Sequence, residues 1–554
     1  MAIRKRPSPR GITLEEGYYL TNFHKLLSFV EEVYEDILQK DDKVFLKKFS
    51  QVSENGQKLF VRLALRSKSF YRQSKLSYPE IDLDKAVTEL EGSALIEINP
   101  LLEFPDFLDP FTVKEIASYL KSHHPELKVS GKRDALLEAC APYEEECYEW
   151  AVSQDKLLWP LFCEQVEKFK LLFFGSLDMD MAQFILEDLG VMKFEKIKID
   201  KETRYFEGRG HLEAHFSWAV LHSHLWEACD LKDLEAAEKI FKEIRKIKLK
   251  SSSLQRRLSR SYNLMAKLVE SEKVYELALK LYQKSSLIPA RERVARLYDK
   301  MEQPKKALKQ CELIIEAPLS EGERYFAEFF REKMKRKLGL PYQLVKKLPT
   351  PAEDILPLVW DKSGRVEKQV LDHLISQSLK GFYCENHYWT TICALLFWEE
   401  FWTSGPGVFY HPFEQAPRDF YSGGFYQRQK KAIEKKVLYW EHHEAWDKEI
   451  IRLYEDKWST ACRLTDWKRT DPKNLKKICN NVPKKDVLQI CLQILKDPRQ
   501  YKSGLPDLFL YRKKGDYLLG EVKSPNDQIQ ASQKRWIDQF SELNIPFKIY
   551  RLKS

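Results

Sequence analysis

Apolar residues recur at three- and four-residue intervals along most of the chain, which is the pattern of helices that bury one face. The pattern predicts mostly helical structure from residue 13 to about 105 and almost wholly helical structure from about 148 to 339. Two further helices are predicted at residues 366–379 and 383–402. The second is apolar nearly all round, so we expect it to be buried.

The carboxyl end instead contains short apolar and aromatic runs that are typical of strands. Two runs, residues 508–511 and 517–523, flank four polar turn residues and predict a hairpin. Pairing would bring Asp507 beside Glu521, with Lys523 on the same face as Glu521.

Residues 529–543 then carry apolar side chains at helical spacing, and a last strand is predicted from residue 546. A strand, a helix and a strand form a crossover, so the last strand is expected to run parallel to the one ending at residue 523. Hairpin and crossover together are the core plan of the restriction-endonuclease-like fold. The predicted fold class is a mainly α, multi-domain chain with a carboxyl-terminal α/β domain of this kind.

Composition indicates a folded protein of several domains. The chain has 554 residues, 43% of them hydrophobic and 13% aromatic, and its length suggests roughly three or four domains. No run approaches the roughly 20 apolar residues that a membrane span needs, so no membrane partner is expected. Ten scattered cysteines without a CxxC pair favour a reduced, intracellular compartment. Residues 1–12 are basic, lack an apolar signal core and are predicted to be a disordered tail.

The positive charge is concentrated near the predicted hairpin. The whole chain has 92 basic and 83 acidic residues, a net charge of +9. Residues 471–554 alone contain 17 Lys and Arg against 9 Asp and Glu. A polyanion is a natural partner for such a region, although a solvated lysine-rich surface is an equally good interpretation of the charge alone.

Residues 13–108 are predicted to form a helical DNA-binding region. In residues 60–78 basic side chains, among them Arg62, Arg66 and Arg72, alternate with aromatic ones. That arrangement suits a phosphate-facing surface with packed stems beneath it. An ordinary basic surface helix is the alternative, and spacing alone favours it.

Residues 109–147 read as two helices joined by a turn. Their VSGKRDALL stretch resembles the SAP-type DNA-binding module. Lys132 and Arg133 would then contact phosphates near a helix start, where backbone N–H groups also face the anion.

Residues 148–345 contain loosely similar helical units at unequal spacing and predict a degenerate, tetratricopeptide-like array. Such an array binds a peptide or acts as a spacer. Basic residues around its middle, including Arg256, Arg257 and Arg260, favour a spacer that also touches a nucleic-acid backbone. A proline-rich stretch at residues 348–360 marks a boundary, and residues 361–554 form the predicted nuclease domain.

The chemistry of the predicted hairpin is that of a cation site. Carboxylate oxygens of Asp507 and Glu521, with the Val522 carbonyl, suit Mg²⁺ or Mn²⁺, and Lys523 would orient water or stabilise the transition state. From these letters alone a salt-bridged structural hairpin is the more frequent outcome. Glu385, in the first turn of a predicted helix, either complements the helix dipole or is a further metal ligand.

The residues that flank these motifs favour a nuclease site over a structural hairpin. GLPDL and GEVKSPNDQIQASQKRW resemble the VRR-NUC nuclease domain, with Ser524 where that family prefers glycine. The order of regions, with QKLFVRLALR near the amino end, resembles the Fanconi-associated nuclease family over essentially the whole chain. FYCENHYW and QAPRD match further family segments, which implies that Glu385 is a metal ligand and Gln415 a supporting site residue.

This resemblance implies a nuclease that cuts 5′-flap and branched DNA, degrades DNA from 5′ ends and serves interstrand crosslink repair, in the nucleoid of a bacterium or the nucleus of a eukaryote. Arg499 and Lys534 are candidates for a basic pocket that reads the 5′ phosphate, although Ser532 stands where a basic residue is expected. The first cysteine is Cys140, so no ubiquitin-binding zinc finger is expected. A Holliday-junction resolvase and a non-catalytic DNA-binding helical scaffold are the alternatives.

Overall fold

A computed structural model of the chain describes residues 16–66, 70–101, 103–127, 131–179, 181, 184, 192–248, 251–343, 353–359, 361, 364–422 and 424–553. Its contacts divide the chain into two compact units, with the division between residues 190 and 191. The predicted tail at residues 1–12 lies outside the described residues. Of the predicted boundary at 348–360, residues 353–359 are described and form a strand. None of the helices in the described ranges combines the length and the hydropathy that crossing a membrane requires.

The amino-terminal unit is mainly helical, as its apolar periodicity predicted. Its helices are Tyr18–Tyr34, Lys40–Gln51, Glu54–Ala64, Leu83–Gly92, Val113–His123, Arg133–Cys140, Glu144–Gln154 and Cys163–Phe174. Phe45 anchors the core, with its ring centroid 5.7 Å from that of Phe49, 5.5 Å from Phe60 and 5.8 Å from Phe169. The predicted boundary at residue 147 falls inside the helix Glu144–Gln154.

Three short strands also lie in this unit. β1 (Tyr71–Arg72) and β2 (Ile96–Ile98) pair antiparallel on either side of β3 (Leu157–Pro160). The helical predictions at 13–105 and 148–339 missed them, because strands of two to four residues are too short to show alternation and β3 lies far along the chain from its partners.

The second unit begins its described helices with a stack of seven. They are Arg209–Asp230, Leu234–Lys246, Ser252–Ser271, Tyr275–Tyr282, Ala290–Lys300, Pro304–Glu316 and Glu321–Lys337. Each packs against the next one in sequence. Small residues such as Ala237, Ala266 and Ala278 are fully buried where the helices meet, which explains the alternation of small and large apolar positions.

A five-stranded sheet carries the predicted hairpin. Its strands are β4 (Glu353–Val359), β5 (Lys380–Tyr383), β6 (Leu508–Lys513), β7 (Asp516–Lys523) and β8 (Phe547–Lys553), in the order β4-β8-β7-β6-β5. β6 and β7 are antiparallel, and β7 and β8 are parallel. The predicted hairpin and crossover are therefore both present.

The remaining helices surround this sheet. They are Val366–Ser376, Glu385–Leu396, Trp398–Trp402, Gly424–His442, Trp446–Lys457, Pro472–Asn481, Lys484–Lys496, Pro498–Tyr501 and Ala531–Leu543. Every residue from His387 to Leu396 is buried, as predicted. The predicted helix at 383–402 differs at its start, because Tyr383 closes β5, and it is broken at Phe397 into two helices, the second of which ends at Trp402 as predicted.

Candidate active site

The hairpin register places the two predicted carboxylates together. Leu508 pairs with Gly520, so Asp507, one residue before β6, lies opposite Glu521. Asp507 Oδ2 accepts a hydrogen bond from the Val522 N–H at 2.9 Å. The backbone carbonyl of Asp507 accepts from the Cys384 N–H at 2.7 Å, which ties it to the start of the buried helix.

Glu521 and Lys523 form a buried pair that a third side chain bridges. Glu521 is 2% exposed and Lys523 6%, and Lys523 Nζ lies 3.0 Å from Glu521 Oε1. The Gln533 amide Nε2 donates to the same Oε1 at 2.5 Å, and its Oε1 accepts from Lys523 Nζ at 2.8 Å. Gln533 was noticed in the sequence only as part of the family pattern, and no role was predicted for it.

The electrostatics of the site disfavour two ionised carboxylates. Burial raises the pKa of Asp507 to about 6, against the opposing hydrogen bond from the Val522 N–H, and the negative charges of Glu367 and Glu385 add to the rise. Burial, followed by the neighbouring Asp507, raises the pKa of Glu521 to about 8. A bound cation would relieve both effects.

Glu367 is a further carboxylate that the sequence interpretation missed. It lies in the first turn of Val366–Ser376, three residues before Val370 and therefore on the same helix face. Val370 is fully buried against the sheet with Leu508 and Val522. Glu367 thus faces the end of the sheet where Asp507 lies. No sequence signal separates it from an ordinary first-turn glutamate.

Glu385 begins the buried helix with an unusual backbone. Its φ is +43°, a left-handed conformation that non-glycine residues adopt at an energetic cost and that is found preferentially at functional sites. The Tyr383 hydroxyl donates to its Oε2 at 2.8 Å, and Arg469 lies 3.8 Å away. The Glu385 N–H donates to the Asp507 carbonyl at 3.4 Å, so strand and helix meet here.

Two further sequence features explain the geometry of the GLPD loop. Asn386, which departs from the glycine of the family pattern, accepts a hydrogen bond from the Leu505 N–H at 2.9 Å. Gly504 has a φ of +86°, and a Cβ there would lie 2.5 Å from the carbonyl carbon of Ser532. The loop can therefore pack on the helix Ala531–Leu543 only with glycine at position 504.

The donor set suits a hard divalent cation. Carboxylate oxygens that burial makes costly to ionise are the groups that Mg²⁺ and Mn²⁺ prefer. Within the described part of the chain, no group of three or more His, Cys, Asp and Glu side chains converges closely enough to hold a metal by itself. Asp507 and Glu521 at the hairpin and Glu385 at the adjacent helix start therefore do not form a closed three-carboxylate group among the described residues.

Gln415 is not joined to this centre. Its side-chain amide contacts Met192 Sδ at 3.8 Å, and its backbone carbonyl accepts from the Arg463 N–H at 2.9 Å. Among the described residues, no hydrogen bond links Gln415 to Asp507, Glu521 or Lys523.

The predicted DNA-contacting residues of the amino-terminal unit differ in availability. Arg72 is only 8% exposed and pairs with Glu115 and Asp155. Arg62 pairs with Glu80 at 2.9 Å and its guanidinium lies 3.8 Å from the Tyr19 ring centroid.

The two predicted contacts of the SAP-like module, Lys132 and Arg133, also differ in exposure. Arg133 donates to the backbone carbonyls of Phe111 and Leu108, at 2.9 and 3.0 Å, whereas Lys132 and Arg66 are exposed. Of the five predicted contacts, Arg72 is buried, Arg62 and Arg133 are half-buried with partners inside the unit, and Lys132 and Arg66 face solvent. Val129 and Ser130 of the predicted motif and Lys68 lie outside the described residues.

A second basic cluster lies in the unit that contains the sheet. Arg256, Lys496 and the exposed Arg499 line a cavity of about 310 Å³. Burial lowers the pKa of Arg260, and the nearby charges of Arg257, Arg256 and Arg499 lower it further. Several cations this close favour an anion between them. Lys534, the other predicted contact, is half-buried.

These features define a class. A hairpin and crossover with an Asp, Glu and Lys centre characterise a restriction-endonuclease-like nuclease domain. A family model of the VRR-NUC domain matches residues 441–553, and one described as "FAN1, HTH domain" matches residues 17–97. The carboxyl-terminal segment thus matches the VRR-NUC domain, and the amino-terminal segment matches a domain of the Fanconi-associated nuclease family.

Individual relatives agree with this assignment. A Fanconi-associated nuclease 1 homolog of Pseudomonas aeruginosa is 28% identical over 97% of this chain and 95% of its own length. A homolog of Arabidopsis thaliana is 24% identical, over 94% of this chain and 65% of the relative. The crystal structure of paFAN1 bound to 5′-flap DNA with a 2-nucleotide flap and a gap superposes with a TM-score of 0.82 at 26% identity, covering 98% of this chain and 99% of that one.

Proposed function

We propose that the chain is a divalent-metal-dependent nuclease that hydrolyses phosphodiester bonds of 5′-flap and related branched DNA, degrades DNA from 5′ ends and acts in interstrand crosslink repair. The observation that carries the proposal is the convergence of Asp507, Glu521 and Lys523 at the end of the hairpin. The likeness to a structure bound to 5′-flap DNA supports the choice of substrate.

Asp507, Glu521, the Val522 carbonyl and Glu385 would hold Mg²⁺ or Mn²⁺. When bound, such a cation supplies a Lewis acid that polarises the phosphate and lowers the pKa of a bound water. Lys523 has a role distinct from that of the metal ligands. Its ammonium, which contacts Glu521, orients the attacking water or stabilises the charge that develops on the phosphate oxygens. Gln415 would be a supporting residue of the site, since its loop belongs to the same compact unit as Asp507.

DNA contact is assigned to cations that are at least partly exposed. Arg66 and Lys132 would contact phosphates of duplex DNA, and Arg499 and Lys534, with the arginines around Arg260, would receive a phosphate near the cut site. A DNA substrate locates the activity in the nucleoid of a bacterium or the nucleus of a eukaryote.

Cleavage of a labelled 5′-flap duplex with Mg²⁺ tests the proposal. Asp507→Ala is expected to lose at least a hundredfold in rate. Asp516→Ala is the matched control, since Asp516 is an exposed acidic residue at the turn of the same hairpin and is expected to leave the rate unchanged. An inactive wild type, or equal rates for Asp507→Ala and wild type, would refute the nuclease assignment.

Substrate choice and repair need separate experiments. A four-way junction run beside the flap distinguishes the substrates, because symmetric cleavage of the junction in preference to the flap would indicate a resolvase. Cells that lack the gene are expected to be sensitive to a DNA crosslinking agent. Wild type, but not Asp507→Ala, should restore their survival.

A further inference from the structure

Gln533 is the third residue of the helix Ala531–Leu543, and its amide contacts three groups at once. Its Oε1 accepts from Lys523 Nζ at 2.8 Å and from the Gln530 N–H at 2.9 Å. Its Nε2 donates to Glu521 Oε1 at 2.5 Å. One neutral side chain therefore joins the helix start to both members of the buried Glu521–Lys523 pair.

The Gln533 amide determines how the buried Glu521–Lys523 pair is arranged. Lys523 Nζ already pairs with Glu521 Oε1 at 3.0 Å, and an ammonium free to bridge both carboxylate oxygens would keep Lys523 from DNA and Glu521 from a cation. Lys523 and Gln533 both contact Oε1 of Glu521, so neither takes Oε2. The amide oxygen also gives the ammonium a second acceptor, which holds it in one direction.

Only an uncharged side chain with both a donor and an acceptor fits this position. A carboxylate at position 533 would repel Glu521, and an ammonium would repel Lys523. A hydroxyl is too short to span the two groups. Glutamine is thus selected by the chemistry of both neighbours, beyond what capping the helix requires.

We propose that Gln533 is a positioning residue of the active site: its amide fixes Lys523 toward the scissile phosphate and keeps one oxygen of Glu521 available to a divalent cation. This inference rests on the proposed nuclease function. The role is indirect, since Gln533 acts through Glu521 and Lys523.

A capping box supplies the matched control. Gln530 and Gln533 hold each other's backbone N–H groups at the start of this helix. Gln530→Ala removes one half of the box and leaves the amide of Gln533 on the site. Gln533→Met, of similar length, removes the other half together with both site contacts. Each variant loses one half of the capping box, so the two should show a similar drop in the midpoint of thermal unfolding.

Activity and metal binding should distinguish them. Gln533→Met is expected to lower kcat for the 5′ flap by about 10–100-fold, the usual effect of losing a group that orients a metal ligand, with little change in KM for DNA. Calorimetry with Ca²⁺ in the absence of DNA should show weaker binding by a similar factor. Gln530→Ala should stay within about twofold of wild type in both measurements.

The outcomes separate the two hypotheses. If wild type cuts the flap and Gln533→Met, folded as judged by circular dichroism, keeps more than half of kcat and of the Ca²⁺ affinity, the positioning role is refuted and the nuclease function stands. If Gln530→Ala loses as much activity as Gln533→Met, the effect is one of helix capping and the positioning role is also refuted. If wild type itself does not cut, the proposed function fails and this inference fails with it.

Discussion

Replacing Asp507 by asparagine is expected to stabilise the metal-free protein at pH 8 while it abolishes cleavage. Asparagine is close in shape to aspartate, and its side-chain oxygen can still accept the Val522 N–H that Asp507 Oδ2 accepts at 2.9 Å. What changes is the charge. The substitution replaces a half-buried carboxylate beside Glu521 with a neutral amide. The free-energy cost of ionising residue 507 in the folded state therefore disappears.

The magnitude follows from the pKa of Asp507, which burial raises from 3.8 to about 6. A rise of about 2 pKa units corresponds to about 3 kcal/mol against the ionised folded state, at 1.36 kcal/mol per unit. That rise already includes the opposing attraction of Lys523. Because Asp507 is only half-buried, solvent screening reduces the effect, and we expect a gain of about 1–3 kcal/mol.

The gain must depend on pH with a definite sign. Because the folded pKa lies above the unfolded one, the protonated Asp507 carboxyl contributes stability that is fully present below about pH 4 and is lost as pH rises through about 6. Wild type without metal therefore weakens over this range, and Glu521, with a pKa of about 8, extends the weakening upward. Asp507→Asn removes only the part of this pH dependence that comes from the Asp507 carboxyl.

Urea unfolding in EDTA at pH 4 and at pH 8 measures this difference. The two proteins should be equally stable at pH 4, and the variant should be more stable at pH 8. Ca²⁺ should then stabilise wild type more than the variant. Asp516→Asn, an exposed change in the same hairpin, is the control and should show no effect. A variant that is less stable than wild type at pH 8, or a difference that does not grow with pH, would refute the reasoning.

Four further predictions concern other parts of the molecule. Lys523→Met should lower the cleavage rate by at least a hundredfold while Ca²⁺ binding, measured by calorimetry, persists. Glu385→Gln should raise the Mg²⁺ concentration needed for half-maximal cleavage by about tenfold, and an unchanged metal titration would remove Glu385 from the ligand set. Arg499→Ala should weaken binding of a 5′-phosphorylated flap and reduce the salt dependence of binding by about one charge, whereas equal affinities at all salt concentrations would exclude the contact. Arg72→Met should destabilise the protein by about 3 kcal/mol, because Glu115 and Asp155 are left without their buried cation, and a shift below about 1 kcal/mol in urea unfolding would contradict that structural role.

Two short apolar runs and the polar turn between them were sufficient to predict the hairpin of the active site. The length of that turn sets which residues of the two strands pair, and both faces of the first strand are buried, at Leu508, Phe509 and Leu510. The sequence around the hairpin is therefore enough to predict that Asp507 lies opposite Glu521. The buried helix that begins at Glu385 followed in the same way from its uniformly apolar composition.

The sequence could not assign roles to charged and amide side chains, because these depend on which distant segments meet. Arg72 and Arg66 look alike in a basic, aromatic stretch, yet Arg72 is buried against Asp155, which follows it by 83 residues. Only the packed unit decides which of the two faces solvent.

The same division applies at the active site. Asp507, Glu521 and Lys523 are close in the chain, so strand geometry and chemical type were enough to predict them. Gln533 and Glu367 are ordinary helix-start residues in the sequence. Their relation to the carboxylates arises when two helices from opposite ends of the domain pack on one sheet. The sequence by itself thus determined the chemistry of the centre, and the tertiary structure decided what holds that centre in place, because long-range packing sets the direction of a side chain and local periodicity does not.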